Sequence, residues 1–214
     1  MIAFDTSTFS ISQSWAHSCN GTDRLLVVSS FDPANGTSTA SYNGVPMTLI
    51  AKQAIFGGFA INLFYLLNPP AGSHTISLSG STAGASSSYT GVAQYSQPDS
   101  FGLATAGSFT NCPTSTTVAA KNCWLIGAHG AEGSNGLATL GILSGHIGQS
   151  REEHTYGSNH VFGFQVFDSD GIVGTGTQTM DPAILLGNLP WNQGCVLASF
   201  APSISSNGLF MVSD

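Results

Sequence analysis

The chain has 214 residues, of which 4 are basic and 11 acidic, and its formal net charge is −7. So few Lys and Arg residues cannot form the basic surface that binds phosphate, which argues against nucleic acid as a partner. Hydrophobic residues make up 42% of the chain, enough for a folded core. A surface this poor in charge is typical of a protein in an assembly or outside the cell.

Membrane and export signals are not recognisable in the sequence. No run of 18 apolar residues occurs, so we expect no membrane span. Residues 1–15 lack the basic and apolar regions of a secretory signal, so we also expect no export by that route.

Strand patterns alternate with turn residues through the first half of the chain. We predict strands at residues 8–16, where apolar and serine positions alternate, and at 24–31, an apolar run. Asn43-Gly44 predicts a tight hairpin within residues 41–52. The strand at 60–67 must end at Asn68-Pro69, because proline lacks the ladder N–H. Residues 74–79 and 84–95 continue the pattern.

The second half has the same character, and no segment shows a helical period. We predict strands at 123–129, 137–143, 146–155, 160–167, 172–180 and 195–200. Short strands joined by turns indicate an all-β fold, an antiparallel two-layer β-sandwich with jelly-roll character. A propeller is the weaker alternative, since no 40 to 50-residue repeat is visible.

The domain organisation follows from three apolar runs, at residues 24–31, 123–129 and 195–201. We interpret them as neighbouring central strands of one sheet, which would bring both ends of the chain together. This predicts a single domain over residues 1–202. Residues 203–214 would then be a C-terminal tail or an edge strand.

Sites for metals and catalysis are weakly indicated. Asp168-Ser169-Asp170-Gly171 offers oxygen ligands for Ca²⁺ but lacks the rest of a calcium loop, so a turn is the preferred interpretation. Arg151, Glu152 and Glu153 form the densest charged cluster, with His154 and His160 beside them. We interpret this cluster as a solvated loop or an intersubunit salt-bridge site rather than a catalytic one.

No catalytic signature emerges from the remaining polar residues. No pair of carboxylates stands out among the candidates, and no nucleophile elbow occurs. We therefore expect no enzyme activity, no cofactor and no resident metal. The candidate carboxylates are Glu132, Glu152, Glu153, Asp168 and Asp181.

The four cysteines lack the spacing of a zinc site. Cys112 and Cys123 flank a turn-rich stretch and could approach each other across a hairpin. The preferred alternative is that all four, including Cys19 and Cys195, are buried thiols.

The aromatic residues allow a sugar-stacking platform, although most fit a core equally well. We place Trp191 in a turn before the last strand and consider it the aromatic residue best suited to a surface contact. The other members of the pool are Trp15, Tyr42, Tyr65, Tyr89, Tyr95, Trp124 and Tyr156.

Three motifs carry a family resemblance. They are CNGTDRLLVV at residues 19–28, YNGVPMTL at 42–49 and YLLNPPAGSHTI at 65–76. Together they resemble a β-sandwich module of tailed-bacteriophage virion proteins that also occurs in bacterial surface proteins. The resemblance covers about the first 95 residues, and these motifs are turns and core strands, so they indicate architecture better than activity.

The resemblance implies a non-enzymatic building block. We expect a capsid decoration (cement) protein on the exterior of the virion, assembled in the host cytoplasm. Its partners would be the major capsid protein and further copies of itself in a homo-oligomer, with no nucleic acid and no membrane. The alternative is a carbohydrate-binding or receptor-binding module of a phage tail or a bacterial surface protein.

Candidate contact residues lie mainly at the chain ends. The segment 1–8 and the tail are possible partner-binding elements, and Arg151 and Trp191 are further candidates. The tail is equally consistent with a final edge strand. Its apolar residues are Leu209, Phe210, Met211 and Val212.

Overall fold

The computed structural model describes residues 1–33, 38–55, 58–81, 83–93, 99–100, 112–133, 139–142, 147–156, 161–186 and 191–203. Within these ranges there is no α-helix, and all strand pairings are antiparallel. None of the described residues forms a helix long and apolar enough to cross a membrane. The predicted all-β antiparallel sandwich is confirmed.

The first half of the chain forms two sheets. The strands are β1 (Ala3–Ser10), β2 (Ser14–Cys19), β3 (Leu25–Asp32), β4 (Thr39–Tyr42), β5 (Val45–Pro46), β6 (Thr48–Ile55), β7 (Phe59–Leu67), β8 (Gly72–Ser79) and β9 (Ala83–Thr90). The first inner sheet has the strand order β1-β9-β3-β7-β6, and the first outer sheet has the order β2-β8-β4-β5. The chain passes repeatedly between the two sheets in the manner of a jelly roll, with hairpins at β4-β5 and β6-β7 that stay within one sheet.

The second half repeats this arrangement. Its strands are β10 (Asp99–Ser100), β11 (Thr114–Val118), β12 (Trp124–Gly133), β13 (Thr139–Ile142), β14 (Gln149–Tyr156), β15 (Val161–Asp168), β16 (Gly176–Met180), β17 (Pro182–Leu186) and β18 (Trp191–Phe200). The second inner sheet has the order β10-β18-β12-β15-β14, and two short outer sheets pair β11 with β16 and β13 with β17.

The two halves share one topology. β10, β18, β12, β15 and β14 occupy the places of β1, β9, β3, β7 and β6, while β16 and β17 together take the place of β8. Local backbone geometry agrees, because Asp23 and Asn122 each precede the central strand by two residues and have φ angles of 50° and 60°. Asn and Asp tolerate this left-handed conformation better than most residues.

The four layers stack as outer, inner, inner and outer sheets. β3 contributes Leu25 and Val27 to a central core between the inner sheets, and Leu26 to a second core under the first outer sheet. β12 does the same with Ile126 and Leu125. The two jelly-roll halves therefore pack back to back through their inner sheets and share the central core.

Two sequence-based assignments were wrong. Residues 8–16 are not one strand, because β1 ends at Ser10 and β2 begins at Ser14. The Ser10 and Ser12 hydroxyls accept hydrogen bonds from the backbone N–H groups two residues ahead, which favours a corner. In addition, the run at 24–31 is in a different sheet from the other two apolar runs, since β3 pairs with β7 and β9 of its own half.

Other assignments are confirmed. Asn43 and Gly44 have φ angles of 51° and 77° and join β4 to β5 in the predicted hairpin. β7 ends at Leu67, directly before Asn68-Pro69. The division into residues 1–202 and 203–214 stays a prediction.

The shared core predicts that the two halves unfold together. Phe164 is fully buried between the inner sheets, so we expect Phe164→Ala to lower the free energy of unfolding by about 3–5 kcal/mol. Denaturant unfolding followed by fluorescence and circular dichroism should show one shifted transition. The control Ser77→Ala, at an exposed position of β8, should change stability by less than about 0.5 kcal/mol. Two separate transitions would contradict the shared core.

Candidate functional site

The charged cluster predicted from the sequence lies where the two halves meet. Arg151 is in β14, at the edge of the second inner sheet, and β1 of the first half lies beside it. Its guanidinium carbon is 4.3 Å from the ring centre of Phe4. Ser7 donates hydrogen bonds to the Arg151 carbonyl and to Glu152 Oε1, at 3.0 and 2.8 Å. The cluster therefore contacts both halves of the chain.

Arg151 is bound by two aspartates. Its Nε and Nη2 donate to Asp168 at 2.6 and 2.8 Å, and Nη2 also lies 2.6 Å from Asp170 Oδ1. The hydroxyl of Tyr89 donates to Asp168 Oδ2 at 2.9 Å. Asp168 is fully buried, and the Arg151 side chain is 10% exposed. A bidentate buried pair of this kind fixes both side chains.

Burial and charge shift the pKa values of this network. Burial works against the charged form of Arg151, but hydrogen bonds and the negative charge of Asp168 outweigh it, so the Arg151 pKa is raised. Burial, reinforced by the charge of Asp168, raises the pKa of Tyr89 well above its usual value. The phenol is therefore neutral and serves as a hydrogen-bond donor.

This geometry bears on two sequence-based interpretations. The chain bends after β15 at residues 169–171, with Asp170 at a φ of 49°, and the carboxylates of Asp168 and Asp170 both bind Arg151. Arg151, predicted as a partner-binding residue, joins the two halves of its own chain. The guanidinium is occupied within the protein, and a role of Arg151 in binding a partner stays a prediction.

A polar cleft of about 210 Å³ lies next to this network, between β13 and β14. Its lining includes Glu153 and His154, together with Thr139, Leu140 and Thr155. Phe9 stacks on the His154 ring with the centroids 3.7 Å apart. Burial raises the pKa of Glu153, opposed by the charge of His154. His160 lies outside the described residues.

A second polar cluster lies between the second inner sheet and its outer strands. Cys112 and Cys195 form a disulfide, whereas Cys19 and Cys123 are buried and are not part of a disulfide. Pairing of Cys112 with Cys123, and the alternative of four buried thiols, were therefore both wrong. His129 lies opposite Cys195 in the strand register.

His129 is held between two amides. Its Nε2 donates to Gln193 Oε1 at 2.8 Å, and Gln165 Nε2 donates to its Nδ1 at 3.1 Å. Burial is the main cause of the low His129 pKa of about 4. The imidazole is therefore neutral at physiological pH.

The equivalent place in the first half also holds a polar cluster. Ser30 and Asn62 face each other across β3 and β7, as His129 and Gln165 do across β12 and β15. Asn62 donates to Asp32 at 2.8 Å, and burial raises the pKa of the Asp32 carboxyl. Each half thus places a buried polar group beneath its outer strands.

The outer faces are covered by hydroxyl groups. No Asp, Glu, Lys or Arg occurs in β2, β4, β8, β11 or β16. In the register, Ser77 of β8 lies between Ser14 and Ser41. On the opposite outer face, Ser115 and Thr179 are hydrogen bonded at 2.6 Å. These five strands are neutral, and most of their exposed side chains are polar.

The remaining predicted contact residues are distributed as follows. Trp191 begins β18 and is not in a turn. Residues 209–212 lie outside the described part of the chain. Of segment 1–8, residues 3–8 belong to β1, so it is mostly an integral strand. Each Phe, Tyr and Trp whose side chain is described is buried or half-buried, and the aromatic sugar-binding platform stays a prediction.

No family model matches the chain, and neither a curated protein nor a solved structure matches it.

Sequence reasoning missed the disulfide partner Cys195 and the residues around His129. Their positions in the chain are far apart, and only strand register brings them together. The repeated order of two-sided apolar strands, at residues 24–31 and 123–129, was the available signal for the duplication. The two copies differ in their side chains, so the sequence shows the duplication only as a similar order of apolar strands.

Removal of Arg151 should destabilise the protein strongly. We expect Arg151→Ala to lower the free energy of unfolding by about 3–5 kcal/mol, because Asp168 would remain buried without its cation. Urea denaturation at neutral pH measures this loss. Arg151→Met combined with Asp168→Asn should be less destabilising than Arg151→Ala. Equal loss from both variants would contradict the role of the unpaired charge.

Buried histidines should make the protein sensitive to mild acid. The folded-state pKa values of His17 and His129 are both lowered from 6.5 to about 4, mainly by burial. Between these values the unfolded chain binds more protons, so stability falls as pH decreases from 6.5 towards 4. Each histidine contributes up to about 3 kcal/mol to that loss.

The double variant His17→Asn, His129→Gln isolates this contribution. The raised pKa values of Asp32 and Glu153 act in the opposite direction but are present in both proteins. Urea unfolding at pH 7 and pH 4.5 should therefore show a smaller stability difference in the variant. If the stability difference between pH 7 and pH 4.5 is the same in the variant and the wild type, the two histidines are not the cause of the acid sensitivity.

Proposed function

We propose that the chain is a non-catalytic structural protein of a tailed-phage virion, a decoration protein on the outside of the capsid. The observation that carries the proposal is the pair of neutral, hydroxyl-covered outer faces. Broad contact through such a face avoids the cost of burying unpaired charges. Binding to the assembled shell, but not to its free subunits, would stabilise the shell by mass action.

The chain end offers a second contact surface. Met1 and Ile172 are exposed apolar residues beside a groove of about 300 Å³, which also contacts Ser203. Residues 204–214 follow Ser203 in the sequence and include Leu209, Phe210, Met211 and Val212. An apolar tail starting here is suited to anchor the protein on the major capsid protein or a sister copy.

The carbohydrate-binding alternative has less support. Sugar sites commonly use exposed aromatic rings, and none is found among the side chains that the structure describes. Specific retention on a glycan array, without binding to capsids, would favour this alternative over decoration.

Particles purified from a lysate of the source provide the direct test. Mass spectrometry and cryo-electron microscopy should find the chain in many copies on the icosahedral shell. A few copies at the tail would favour receptor binding, and absence from particles would contradict the virion proposal.

A charge placed on the contacting outer face should weaken capsid binding. Thr75 is exposed on β8 and Thr177 is exposed on β16, so Thr75→Arg and Thr177→Arg are matched controls for each other. We expect one of the two to reduce co-sedimentation with capsids by about tenfold or more, because an unpaired ion would be buried. Wild-type binding by both variants would exclude the outer faces as the contact.

A further inference from the structure

Cys112, His129 and Cys195 form a compact group of metal-binding side chains. One possible ligand atom from each residue lies within 4.8 Å of those from the other two. All three residues are buried. Strand register sets this geometry, because His129 and Cys195 are direct partners on β12 and β18.

Cys112 is positioned independently of the inner sheet. Its N–H donates to the Pro182 carbonyl at 2.8 Å, and its carbonyl accepts from the Thr114 hydroxyl at 3.0 Å. These bonds fix the residue just before β11, next to the sheet that carries the other two. The three side chains therefore have a defined arrangement that does not rest on the disulfide alone.

The donor set selects the kind of ion. Two thiolates and an imidazole suit Zn²⁺, which prefers sulfur and nitrogen ligands in tetrahedral geometry. The surrounding amides hold the ring as outer-shell partners do in metal sites. Gln165 Nε2 also donates to the Gly141 carbonyl at 3.1 Å, so it retains an acceptor if its bond to His129 is replaced.

The first half of the chain provides an internal comparison. Ser30 and Gly84 occupy the places of His129 and Cys195, since Ser30 pairs with Gly84 as His129 pairs with Cys195. That position has neither thiol nor imidazole. The metal-binding chemistry is therefore specific to the second half and is not required by the shared fold.

We propose that reduction of the Cys112–Cys195 disulfide creates a buried Zn²⁺ site formed by Cys112, His129 and Cys195. A phosphine reductant supplies the two electrons, and it becomes a phosphine oxide with oxygen from water while the disulfide becomes two thiols. Binding of Zn²⁺ then displaces the two thiol protons. Disulfide and metal exclude each other, so the redox state selects one of two cross-links at the same position.

The test uses the full chain, reduced with a phosphine and desalted without oxygen. Titration with Co²⁺ should give a thiolate-to-cobalt absorption band that saturates at one ion per chain and disappears when Zn²⁺ is added. The oxidised protein should give no band. A reduced protein without the band, or an oxidised protein with it, would overturn the proposal.

Variants assign the band to the three residues. Cys195→Ser should abolish it, and His129→Gln should weaken Co²⁺ affinity at least tenfold. Cys19→Ser and Cys123→Ser, which remove the other buried thiols, should keep it. Persistence in Cys195→Ser would overturn the assignment.

Alkylation of the wild-type chain avoids dependence on the folding of variants. After reduction, Zn²⁺ should slow alkylation of Cys112 and Cys195, measured by peptide mass spectrometry, relative to Cys19 and Cys123. Equal slowing of all four cysteines, or of none, would contradict a site at these residues.

Discussion

Face-to-face packing of the two inner sheets is the contact on which the rest of the structure depends. β3 and β12 are buried on both sides, so each inner sheet needs an apolar layer above and below it. Among the described residues, the outer strands cover one side of each inner sheet, and the other half of the chain covers the remaining side. Neither half buries both sides of its inner sheet alone, so the two halves together form one continuous core.

The two halves also meet at two margins of this core. β1 meets β14, where Arg151 and its aspartates lie, while β6 meets β18 through the contact of Ile55 with Gly194. The two margins differ chemically, because Arg151 and Asp168 form a buried ion pair at the first, whereas Ile55 lies against Gly194 at the second. The duplicated backbone therefore supports different side-chain chemistry in its two copies.

Much of the strand pattern was predictable, because it depends on local chemistry. The turn at Asn43-Gly44 and the end of β7 before Pro69 follow from backbone preferences of individual residues. The sheet to which each strand belongs was harder to predict from the sequence, since the apolar run at 24–31 is compatible with either inner sheet. The disulfide and the environment of His129 depend on which strands pair, and nothing local specifies that. The charged cluster around Arg151 was recognisable in the sequence. Its inward orientation, however, depends on contacts with β1, where Ser7 lies 144 residues before Arg151.

The repeated topology has a consequence for how such a chain could have arisen. A protein with only one of these halves would expose the whole apolar face of its inner sheet, and a second copy is the surface that fits it. Such a chain would fold only as a pair, with a stability that depends on its concentration. Joining two copies in one polypeptide raises the effective concentration of each half to roughly millimolar. The covalent link makes folding independent of the protein concentration, and it allows one copy to have a histidine and a cysteine where the other has Ser30 and Gly84.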